Sequence, residues 1–183
     1  MKRHLLPLFY ALISMALFLP GCAHFSFSRE QTVEQQRTQQ RYDDAAIKTE
    51  ISSALLRRSP ARANTVSVRS FNGHVFLIGA ADEQFRNEAT DIARSAEGVA
   101  QVTTHWFPAG TTLGSADAVI ESNIESDVLR MDPVLAQSVA VDVWGGHVVL
   151  TGFVDDKSQI DTAVTKIREM TRIRSVTSYV VLY

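Results

Sequence analysis

The sequence predicts an α+β protein made of two tandem αββαβ domains, each a three-stranded mixed sheet with two helices on one face. Three observations predict it. Apolar residues recur at helical spacing on either side of a short alternating pair of segments, glycine-containing turns join those segments, and the whole pattern occurs twice at one offset. Asp44, Ile47, Ile51, Leu56 and Pro60 fall on Asp117, Ile120, Ile124, Leu129 and Pro133. Val66, Val68, Gly73, Val75, Leu77, Gly79 and Asp82 then fall on Val139, Val141, Gly146, Val148, Leu150, Gly152 and Asp155. With one extra residue in the second copy, Ala89, Val99 and Val102 meet Ala163, Ile173 and Val176.

Each element follows from its own pattern. Ile47, Ile51 and Leu55 share one helical face, as do Ile120, Ile124 and Val128. Ser59-Pro60 and Asp132-Pro133 end those helices, because a residue before proline is pushed out of the α region; the second one is predicted over 117–132. Alternation follows, through Val66 and Val68 to Asn72-Gly73 and on to Val75 and Leu77. Asn-Gly between alternating runs signals a hairpin, since a type I′ turn needs positive φ at both central residues. Gly145-Gly146 does the same work between Val139-Val143 and Val148-Leu150. Gly79 and Gly152 read as further turn glycines. Asp82 and Asp155 stand where they can cap a second helix, whose apolar face is Phe85, Ala89, Ile92 and Ala93 in one copy and Ile160, Ala163, Val164 and Ile167 in the other. A last strand is predicted over 99–106 and 173–182.

The N-terminus reads differently. Lys2 and Arg3 precede an apolar run from Leu5 to Leu19, too short for a membrane span of roughly 20 residues but suited to a signal peptide. The run closes on Leu19-Pro20-Gly21-Cys22, which resembles a bacterial lipobox. Cys22 is the only cysteine, and a thiol is the best side-chain nucleophile for accepting a diacylglycerol group. The expectation is a signal peptide over 1–21, an acylated Cys22, a polar glutamine-rich tether over 22–42, a first domain over 43–107, a linker over 108–115 and a second domain over 116–183. Acyl chains anchor by burial, at about 0.8 kcal/mol per methylene. Ala23 follows the cysteine, not the aspartate that resembles an inner-membrane retention signal. That resemblance implies a periplasm-facing anchor in the outer membrane of a Gram-negative bacterium.

The repeat carries Gly73-His74-Val75-Phe76-Leu77-Ile78-Gly79 with Gly98-Val99-Ala100-Gln101-Val102, and then Gly146-His147-Val148-Val149-Leu150-Thr151-Gly152 with Arg172-Ile173-Arg174-Ser175-Val176. A central Gly-x-Val-x-Leu-x-Gly with a later Gly-Val-x-x-Val resembles the BON domain, and the resemblance covers nearly everything from Asp43 to Leu182. Arg172 departs from it, standing where glycine is expected, which implies a different helix-to-strand turn there. Tandem BON domains behind a lipobox are similar to dual-BON outer-membrane lipoproteins that support envelope integrity. The resemblance implies phospholipid headgroups or an outer-membrane protein as candidate partners. One such protein binds anionic phospholipid through a helix of its second domain. Here that helix carries Asp117, Glu121, Glu125, Asp127 and Asp132 against Arg130, a sign that anionic headgroups repel, so the contact is not carried over. Other roles in view are an adaptor bridging the outer membrane to a periplasmic complex and an osmotic-stress periplasmic protein.

Nothing in the sequence resembles catalytic machinery: no nucleophile elbow, zinc-binding helix or phosphate-cradling loop is present, and no cofactor or metal is expected. The formal charge of -2 argues against nucleic acid. His74 and His147 take equivalent positions at the hairpin tips. One histidine per domain is no ligand set, so both are expected as exposed turn residues. The sheet faces turned away from the helices carry Phe71, Phe76 and Ile78, and Trp144 and Val149, with Tyr179 beside them. Such residues mark an interface; the expected cover is the other domain, sheet against sheet. Arg57, Arg58 and Arg62 form a basic cluster after the first helix, either a solvated helix end or a contact for an anionic partner.

Overall fold

The computed structural model describes residues 24–182. The expected signal peptide and Cys22 lie outside the described residues. Gln40–Tyr183 forms one compact unit. Helix α1 (His24–Arg58) takes in the glutamine-rich stretch as well as the first amphipathic helix. The described part of the expected tether is therefore helical, as a run without glycine or proline permits. From Ile47 on, α1 buries Ile47, Ile51 and Leu55.

Pro60 ends α1 and also starts something. A short helix α2 (Pro60–Ala63) opens with it in the first turn, where the missing N–H costs nothing. Strands β1 (Val66–Phe71) and β2 (His74–Ala80) pair antiparallel, with Phe71 opposite His74. Between them Asn72 has φ 54° and Gly73 φ 74°, the left-handed pair of a tight hairpin. The Asp44 carboxylate on α1 accepts hydrogen bonds from the Asn72 and Gly73 amides at 2.7 and 3.0 Å and from the Ser70 hydroxyl at 2.7 Å. Helix α3 (Glu83–Ser95) is capped by Asp82, which accepts from the Phe85 amide at 2.9 Å. Strand β3 (Gln101–Phe107) returns parallel to β2, starting two residues later than predicted, and gives the order β1-β2-β3.

The second domain repeats this plan with three corrections. The helix predicted over 117–132 is broken into α4 (Ser115–Asp127), a 3-10 turn at Leu129–Met131 and a short helix α5 (Pro133–Ser138) that Asp132 caps. The cap of the next helix, α6 (Lys157–Glu169), is Asp156 and not Asp155. The inserted residue of the second copy falls before this helix, so its cap moves by one. Gly79 and Gly152 sit within strands rather than turns. β4 (Val139–Trp144) and β5 (His147–Val154) pair as β1 and β2 do, and β6 (Ser175–Leu182) runs parallel to β5 in the order β4-β5-β6. A Cβ on Gly79 would collide with the Thr65 carbonyl oxygen, and one on Gly152 with that of Ser138. These glycines admit the chain entering the neighbouring strand, a matter of close approach. Asp117 takes the place of Asp44, accepting from the Gly114, Gly145 and Gly146 amides at 3.0, 3.0 and 2.9 Å. Arg172 adopts φ 70°, where Gly98 has φ 79°. The turn thus keeps its shape, contrary to the expectation, at the cost of a left-handed non-glycine residue, about 1–2 kcal/mol.

The helical side of each sheet forms its own core. Val66, Val68, Val75, Leu77, Phe85, Ala89 and Ala93 join α1 in the first, and Val141, Val143, Val148, Leu150, Ile160, Ala163 and Ile167 join α4 in the second.

Candidate functional site

The two sheets meet on their other faces. Phe76, Ile78, Ala80, Phe107, Trp144 and Val149 form a third buried cluster, with Phe71 and Tyr179 packed against it. The structure thereby brings together all six residues singled out on the open faces. Phe76 and Ile78 are each 1% exposed and Trp144 2%. The Phe107 and Trp144 rings stack at 6.1 Å, and Phe71 meets Phe153 edge-on at 6.2 Å. Strand alternation forces this: with Val75 and Leu77 under the helices, Phe76 and Ile78 must point the other way.

Polar contacts cross the same seam. Arg69 donates from Nε and Nη2 to the Asp142 carboxylate at 3.1 and 3.0 Å, and from Nη2 to the Val141 carbonyl at 3.1 Å. Burial opposes the charge on this guanidinium, but Asp142, with Glu121 and Glu125 nearby, raises its pKa overall. His105 Nδ1 and the Tyr179 hydroxyl share a hydrogen bond of 2.9 Å. Both contacts join positions that are equivalent in the two repeats, since Arg69 aligns with Asp142 and His105 with Tyr179. Residues meeting their own counterparts lie where a two-fold axis would pass. The Thr151 hydroxyl is buried with no hydrogen-bond partner among the described residues.

His74 and His147 are not the exposed turn residues expected. His74 is half-buried, stacks on Phe76 at 4.1 Å, lies 6.4 Å from Phe153 and reaches the Thr103 hydroxyl at 2.8 Å. His147 is half-buried too, 5.9 Å from Phe107, with Nδ1 2.7 Å from the Ser175 hydroxyl. The hairpin tips lean into the seam, so their side chains are partly withdrawn from water. Burial lowers the pKa of His74; burial and then the nearby His147 lower that of His105. A folded pKa below the ordinary value of about 6.5 means that stability is complete above that value and is lost as pH falls through it. Glu121, raised by burial and then by Asp142, works in the opposite sense, so the histidine part must be isolated by substitution. Between pH 7 and pH 5 the wild-type Tm is expected to fall further than that of His74→Gln/His105→Gln. Equal pH dependence in the two proteins would remove the histidines from the account.

The basic cluster does not stand free. Arg58 pairs bidentately with Glu88 at 2.9 and 2.7 Å, and Arg62 lies 3.3 Å from Asp82 and over the Phe85 ring at 5.5 Å. Arg57 is exposed. No group of three or more metal-ligating side chains occurs among the described residues, and none of their helices is long and apolar enough to cross a membrane.

Comparison with known proteins decides the family. The model of the BON domain matches residues 43–105 and again 116–182. The chain belongs to the BON-domain family. Over 140 residues it is 29% identical to the osmotically-inducible protein Y of Escherichia coli strain K12, spanning 73% of this chain and 70% of that one. Two solved structures of CdsD, a structural protein of the type III secretion system of Chlamydia trachomatis, align over 76% of this chain and 67% and 63% of theirs, at 18% and 19% identity and a TM-score of 0.33 in both cases.

As BON domains, the two halves place the family's central glycines at the hairpin tip and mid-strand, where a side chain would strike backbone. Sequence reasoning missed Asp44 and Asp117 as the clamps of those tips, and it missed Arg69, Asp142, His105 and Phe107 in the seam. A usable signal existed. Arg69 and Asp142 are opposite charges at equivalent, outward-facing strand positions of two repeats.

Proposed function

We propose that this BON-domain protein is a non-enzymatic, periplasm-facing outer-membrane lipoprotein. Acyl chains on Cys22 anchor it, and its BON domains bind phospholipid or an envelope protein in support of envelope integrity. The observation that carries the reading is the closed seam. With both open sheet faces spent on each other, helix surfaces and strand edges are left for a partner, which suits a binding module. Family membership and the likeness to an osmotically-inducible relative fit a non-enzymatic role in the envelope or periplasm. Since Arg58 and Arg62 already have carboxylate partners, the cluster with Arg57 offers anionic headgroups little free charge. An adaptor bridging the outer membrane to a periplasmic complex is the second reading, favoured by the same closed seam; an osmotic-stress role follows from the relative's name alone.

Palmitate labelling tests the anchor. Wild type is expected to take up label and fractionate with the outer membrane, and Cys22→Ala to lose the label and appear in the soluble periplasm. A mature wild-type protein with an unmodified thiol at Cys22 would refute the lipoprotein reading.

A further inference from the structure

The two domains finish their outer strands differently. In the first, Trp106 packs between β3 and α3, Arg86 lies over its ring at 5.8 Å, and Arg86 Nη2 donates to the Phe107 carbonyl at 2.6 Å. The first domain thus plugs the space beside its edge strand with its own side chains. In the second, Val180 takes the place of Trp106, each lying opposite the strand glycine, Gly152 or Gly79. Ile160, four residues past its cap as Arg86 is, takes the place of the arginine.

What remains is a groove of about 530 Å³ between α6 and β6, floored by Val154, Ile160, Val164 and Val180. Along it runs the edge of β6, which no further strand pairs among the described residues; its eight residues lack proline and formal charge, and Val181 and Leu182 are exposed at 40% and 57%. An unguarded edge of this kind is a template for another strand. The Val180 amide donates its hydrogen bond to the Ser178 hydroxyl at 3.3 Å, a weak substitute for a backbone acceptor.

Charge selects the occupant. Arg168 lines the groove and is exposed, and Arg172 stands exposed shortly before β6 begins. The groove's acid, Asp161, is already paired with Lys157 at 2.7 Å. We propose that the β6 edge and its groove dock an extended, acidic segment of a partner protein, which joins the sheet as a fourth strand. Its backbone pairs with β6, a large apolar side chain fills the space that Trp106 fills in the first domain, and a carboxylate meets Arg168. This is recognition by strand addition, and it deepens the adaptor reading, on which it rests.

The test pans a displayed random dodecapeptide library against the acylated full-length protein in detergent. The best binder is then synthesised with a fluorescent label and titrated by polarisation. Enriched peptides are expected to alternate apolar and polar residues, carry acidic residues and lack proline. Val180→Trp, which plugs the groove as the first domain does, and Arg168→Glu are each expected to weaken binding about tenfold or more, as is a central proline in the peptide. Arg94→Glu, on α3 of the other domain, should change nothing. Binding is also expected to protect the amides of Ser175–Leu182 from exchange. The proposal is overturned if no peptide is enriched, if binding ignores both groove variants, or if Val180→Trp instead converts a dimer of the chain to a monomer, which would assign the edge to a second copy. Failure here leaves the Cys22 labelling result untouched, so the anchor and the docking edge are judged separately.

Discussion

Trp144→Ala is expected to destabilise the protein by about 3–5 kcal/mol, the range for removing a buried tryptophan, with Tm falling on the order of 10 °C. Trp144 is 2% exposed and stacks against Phe107 of the other domain, so much of its contact surface exists only while the sheets are closed. The substitution should therefore also open the linker over 108–114 to protease. Trp106→Ala supplies the contrast. That side chain packs on the helical side of the first domain, and its loss should lower Tm without exposing the linker. A Trp144→Ala protein with wild-type Tm and protease resistance would sink the idea that the aromatic seam holds the domains together.

Arg69→Met is expected to cost about 3–5 kcal/mol, because it strands a buried carboxylate. Asp142 has a side chain 6% exposed, and Arg69 is its partner across the seam; Glu121 and Glu125 lie close enough to act on the same cation. Removing the cation leaves like charges facing each other. Arg69→Met/Asp142→Leu should recover much of the loss, since replacing both members of a buried pair by apolar groups is often near neutral. A double-mutant cycle by urea denaturation reads the coupling directly. Additive effects of the two single substitutions would mean that the ion pair does not join the domains energetically.

Elements with a local cause were legible in the sequence. Helical spacing placed Ile47, Ile51 and Leu55 on a buried face, and Asn72-Gly73 and Gly145-Gly146 placed both hairpins, because positive φ at consecutive residues narrows the choice of residue to a few. The misplacements were local too. The cap moved from Asp155 to Asp156 because the extra residue of the second copy sits beside it, and the long second-copy helix broke early because Leu129–Met131 tightens into a 3-10 turn. Gly79 and Gly152 were recognisable as special, but the sequence alone does not tell a turn glycine from one that admits a neighbouring carbonyl.

By itself the sequence determined the repeat, the order of its elements and which residues share a sheet face. Period and turn chemistry act over a few residues, and each copy states them independently. The tertiary structure decided what the outward faces meet. It paired Arg69 with Asp142 and His105 with Tyr179, drew the hairpin histidines partly out of water, and left the β6 edge open while Trp106 and Arg86 closed its counterpart. Those outcomes depend on shape and charge matching between segments far apart in the chain, which alternation records only as a side of the sheet and never as a partner.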